Sequence, residues 1–134
     1  MPDAVELAQR SFEAFVNGDT EAYVASFDEE VVWDVSAYVT GRKEYVGRSG
    51  VREFLAEVDR LSVEQGERFT IHLDEFHPLD DGRVIAFGAA RIERPENPLS
   101  FETGAIYTFG ENGKITRLQG FTSKEEARLA AGLI

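Results

Sequence analysis

The chain has 134 residues, enough for one domain with a real core, and no linker-like stretch divides residues 1–134. Fourteen Lys and Arg against 25 Asp and Glu leave a net charge of −11, which disfavours nucleic acid and anionic membrane surfaces as partners. Cysteine is absent, so disulfides, thiol nucleophiles and Cys-based metal sites are excluded. The N-terminus carries no signal-peptide pattern and no apolar stretch is long enough to span a bilayer; a cytoplasmic protein is expected.

Val5, Ala8, Phe12, Phe15 and Val16 recur at helical spacing, and Asp3 with Glu6 forms a candidate capping box. Asn17-Gly18 ends that helix, and a shorter one is expected from Asp19 or Thr20 to about Phe27. Val31-Val32-Trp33 reads as a buried strand closed by Asp34, with a loop from Ser36 to Val46 after it. Val51, Phe54, Leu55, Val58 and Leu61 form the stripe of a third helix entered through Ser49-Gly50.

The second half of the chain changes period. Phe69, Ile71 and Leu73 alternate with Thr70, His72 and Asp74, which predicts a half-buried strand. Asp80-Asp81-Gly82 is a turn, Arg83 to Glu93 a strand with an apolar centre, and the stretch with Pro95 and Pro98 a loop. Leu99 to Phe109 alternates again, Glu111-Asn112-Gly113 is a hairpin turn, and Lys114 to Thr122 is the last strand. Ser123 and Glu126 cap a short terminal helix. Helices first and a run of strands after them predict an α+β fold.

Asn17-Gly18-Asp19, the Phe27–Asp34 segment, the Gly47–Phe54 helix start and Asn112-Gly113-Lys114-Ile115 follow one another in an order that resembles the nuclear-transport-factor-two superfamily. The similarity covers nearly the whole chain and is strongest to the ketosteroid-isomerase-like and SnoaL-like (polyketide cyclase) branches. It implies a cone: a curved mixed β-sheet wrapped around the N-terminal helices and enclosing a pocket. It also implies a homodimer formed through the outer face of the sheet, where Arg117, Gln119 and Phe121 alternate.

Within that resemblance Asp34 stands where the ketosteroid isomerases carry their general base. A carboxylate on an apolar run is expected to be partly desolvated, which raises its pKa toward the useful range. The rest of that machinery does not carry over: Ser11 replaces the donor tyrosine, Ala105 the protonated aspartate, and Leu55 a further tyrosine. Steroid isomerisation by the known mechanism is therefore rejected. The two aspartates bridged by an arginine of a limonene-type epoxide hydrolase are not found either.

The same alignment directs Leu118, Gly120 and Thr122 into the pocket, and alternation adds Phe101, Thr103 and Tyr107 beside Ala105. Phe54 and Leu55 join them from the third helix, and Tyr38 and Tyr45 are candidate hydroxyl donors from the loop. Arg42, Lys43 and Arg48 form a local positive cluster that would steer an anion. Arg91 shares parity with Ile85 and Phe87 and would pair with Asp34 if that face bordered the pocket. His72 should point away from the core, and the two histidines lack metal-ligand spacing, so neither a metal nor a cofactor is expected.

These readings converge on a domain for a small hydrophobic molecule. One version is a cofactor-independent isomerase, cyclase or dehydratase using Asp34 as general acid or base. The alternative is a non-catalytic ligand-binding or dimerisation module of the same fold.

Overall fold

The computed structural model describes residues 3–35 and 44–134. Helix α1 (Ala4–Val16) begins where the Asp3 carboxylate accepts the Glu6 amide at 2.8 Å, the expected cap. Helix α2 (Thr20–Ala25) is capped likewise by Asp19, which accepts the Ala22 amide at 3.2 Å. Strand β1 (Phe27–Asp34) follows directly. A short strand β2 (Glu44–Val46), which lay inside the expected loop, pairs antiparallel with β1 and leads into α3 (Gly47–Gln65).

Strands β3 (Arg68–Pro78), β4 (Val84–Glu93), β5 (Leu99–Phe109) and β6 (Ile115–Phe121) form an antiparallel meander. Helix α4 (Lys124–Ala130) closes the described chain, with Ser123 Oγ accepting the Glu126 amide at 3.1 Å. The six strands lie in the order β2-β1-β6-β5-β4-β3, and β1 runs parallel to β6. This is the mixed α+β sheet that the resemblance implied.

The sheet curves because its longest pair is interrupted. The register of β3 on β4 shifts between Leu73 and Glu75, leaving a bulge. Gly88 sits opposite, so close to the β3 backbone that an added Cβ would lie 1.7 Å from the His72 carbonyl oxygen. Only glycine permits that approach.

The two faces of the sheet are covered unequally. Helices α1, α2 and α3 fill the concave face around Phe27, Val31, Trp33 and Val51, all buried. On the convex face α4 lays Ala127 and Ala131 against Ile85, Phe87 and Ile106. No helix among the described residues is long and apolar enough to cross a membrane.

Candidate functional site

A cavity of about 410 Å³ opens on the concave face, within the range of small-molecule sites. Each wall follows from strand or helix parity. Strand β5 contributes Phe101, Thr103, Ala105 and Tyr107, every second residue. Leu118, Gly120 and Thr122 come from β6 and the residue after it, and Phe69, Ile71 and Leu73 from β3. Phe54, Val58 and Leu61 form the stripe that α3 turns inward. Phe12 and Phe15 of α1 and Tyr23 of α2 close the remaining side.

One end of the cavity is deep and the other open. Tyr23, Trp33, Tyr107 and Leu118 are each less than a tenth exposed, whereas Leu99 at the other end is 46% exposed. Glu67 stands at that open end among partly exposed apolar side chains. Its carboxylate lies 3.8 Å from the Arg94 guanidinium, whose Nε–H donates to the Asn97 carbonyl at 2.9 Å. The β4–β5 loop is thereby tied to the start of β3 beside the mouth.

Of the ten residues expected to line a pocket, eight border this cavity: Phe54, Phe101, Thr103, Ala105, Tyr107, Leu118, Gly120 and Thr122. Leu55 does not. It follows Phe54 by one residue, about 100° round the helix, and packs into the core instead. Tyr38, with Arg42 and Lys43 of the positive cluster, lies outside the described residues. Tyr45 is buried and its ring meets Phe54 edge-on at 5.4 Å. Arg48 donates from Nε to the Phe27 carbonyl at 2.9 Å, a structural tie.

Asp34 requires a correction. In β1 the inward parity belongs to Val31, Trp33 and Val35, which are buried. Trp33 and Val35 border the cavity, and Asp34 between them does not. Successive strand residues point to opposite faces, so Asp34 stands on the convex side. There Arg117 Nη2 donates to its Oδ2 at 3.3 Å. The position that would aim a base into the cone holds valine.

Two other residues singled out in the sequence also lie off the cavity lining. Arg91 shares the convex face with Ile85 and Phe87, is exposed and lies 3.4 Å from Glu93. Strands β5 and β6 lie between it and Asp34 on β1. Ser11, at the donor-tyrosine position of the resemblance, is buried and hydrogen-bonds Ser26 at 2.7 Å, outside the cavity lining.

At the deep end sequence reasoning found Tyr107 and Leu118 but missed Tyr23 and Trp33. Tyr23 sits on a helix too short to show a stripe, yet its ring meets Phe27 at 5.0 Å, Phe15 at 5.2 Å and Trp33 at 6.3 Å. Burial pushes the Tyr23 hydroxyl well above the ordinary tyrosine range, and neighbouring Tyr107 acts in the same direction. It stays a neutral hydrogen-bond donor. Thr103, by contrast, spends its hydroxyl on the Phe121 carbonyl at 3.0 Å.

A family model described as the SnoaL-like domain matches residues 8–118. The chain belongs to the SnoaL-like family. No curated protein matches its sequence significantly. Among solved structures, Bal32a from a soil-derived mobile gene cassette aligns with a TM-score of 0.74 at 25% identity, over 92% of each chain. TerC, co-crystallised with polyporic acid, aligns at 0.72 and 20% identity over 96% of this chain and 98% of its own. SalBIII, an epoxide hydrolase/cyclase-like enzyme in pyran ring formation in polyether salinomycin, aligns at 0.69 and 20% over 91% and 92%. TerC and SalBIII share the fold with this SnoaL-like domain while differing from it in four of every five aligned residues.

Proposed function

We propose that this SnoaL-like protein is a binding domain for a small, flat, hydrophobic organic molecule held in the cone. The observation that carries this reading is the cavity lining, with aromatic and aliphatic side chains on every wall and Val35 at the inward position beside Trp33. Burying the apolar surface of such a ligand is worth about 25 cal/mol per Å², ample for micromolar binding once association costs are met. That TerC, of the same fold, was co-crystallised with polyporic acid is in keeping with a small organic ligand.

Isomerase, cyclase or dehydratase chemistry with Asp34 as its base is not part of this reading, because Asp34 is on the other face. A catalytic version would draw on Glu67, the carboxylate that borders the cavity among the described residues. Homodimerisation is proposed on the family resemblance, with half-buried Arg117 and Gln119 of the convex face available to a second copy.

The test uses N-phenyl-1-naphthylamine, a neutral probe that brightens in apolar surroundings. One saturable site per chain is expected, abolished by Ala105→Phe, which fills the cavity. Absence of saturable binding by wild type, or equal binding by the filled variant, would overturn the reading.

A further inference from the structure

The deep end of the cavity carries two donors that the protein leaves unused. Neither the Tyr23 hydroxyl nor the Trp33 indole N–H has a hydrogen-bond partner among the described residues. Yet no side-chain nitrogen or oxygen sealed away from solvent goes without a partner there. Both residues border the cavity, so the open space is the place where these donors can be met. Their rings pack at 74° with centroids 6.3 Å apart, which brings them into the same part of the site.

Resting on the cavity reading above, we propose that Tyr23 and Trp33 together receive the oxygen of a neutral carbonyl compound, a ketone, quinone or lactone, whose apolar body fills the rest of the cone. The chemistry narrows the class. An indole N–H donates and cannot accept. The tyrosine is held in its donating, neutral form by burial. A ligand presenting an amine or ammonium here would meet donors with its own donors. An anion would enter an apolar site inside a chain of net charge −11. An acceptor without formal charge is what remains.

The rings are fixed before the ligand arrives. Trp33 is stacked on Phe27 at 6.0 Å and braced by Phe54 at 4.3 Å, and Tyr23 is held between Phe15 and Phe27. Preorganised donors cost a ligand little ordering entropy.

The test compares 2-acetonaphthone with 2-ethylnaphthalene, which differ by a carbonyl in place of a methylene. Calorimetry on the full chain should give the ketone several-fold to about tenfold tighter binding, the effect of one or two net hydrogen bonds. The carbonyl stretch of the bound ketone should move to lower frequency than in hydrocarbon solvent. Tyr23→Phe, and separately Trp33→Phe, should each reduce the ketone's preference over the hydrocarbon, both measured in the same variant, together with the infrared shift. Equal affinities with no infrared shift in wild type would overturn the donor assignment and leave the cavity reading standing. Failure of both compounds to bind would overturn both. The wild-type infrared shift decides the matter even where a variant folds poorly.

Discussion

Arg117 and Asp34 face each other at 3.3 Å across the parallel β1–β6 pair, on the side of the sheet away from the cavity. Side-chain exposures of 40% and 23% put this ion pair in contact with water. Such pairs are worth about 1 kcal/mol or less. Asp34→Asn should therefore shift unfolding free energy by under about 1 kcal/mol and leave probe affinity unchanged. Loss of ligand binding in a folded Asp34→Asn variant would contradict the geometry.

Val35 makes the complementary prediction. Val35→Asp puts a carboxylate where the cone would hold a base, in surroundings made mostly of aromatic and aliphatic side chains. Desolvation raises the folded-state pKa above the unfolded value near 3.9, so the charged form is penalised. The cost should be roughly 2–4 kcal/mol at pH 7 and should shrink as pH falls toward about 3, below the unfolded-state value, where the carboxyl is mostly neutral in both states. Denaturation at the two pH values checks the sign.

These two neighbours show where sequence reading reached its limit. The caps at Asp3 and Ser123, the α3 stripe and the alternation in β5 and β6 are local, and each appears where the pattern puts it. Val31-Val32-Trp33 is an unbroken apolar run, and a run without alternation carries no information about which face each residue takes. Assigning Asp34 to the pocket therefore rested on alignment, and a one-residue slip reverses every side chain. Tyr23 reaches the cavity through packing between elements distant in sequence, which no local period reports.

Tyr23 also predicts an alkaline response. Its folded pKa lies above the unfolded value near 10, so its neutral form contributes stability that is intact below about pH 10 and lost as pH rises further. Tyr23→Phe should flatten the fall in stability between pH 9 and 11. Absorbance at 295 nm should show at least one of the four tyrosines ionising only with unfolding. Ionisation of all four in the folded protein would contradict this.

The seating of α4 rests on Gly104. A Cβ added there would lie 2.6 Å from the Ala127 Cβ, which sits on helix backbone and cannot turn aside. Gly104→Ala should cost about 1–3 kcal/mol by pushing α4 off the convex face. Unchanged stability in urea would show that the helix is loosely held.

The most direct test of the cavity reading follows Trp33, the single tryptophan, by its indole resonance in a ¹H–¹⁵N spectrum. Titration with 2-acetonaphthone should move that resonance and the amides of Val35, Tyr107 and Leu118, while the Arg117 side-chain N–H on the convex face stays in place. An unmoved indole with shifts confined to the convex face would contradict a ligand site inside the cone.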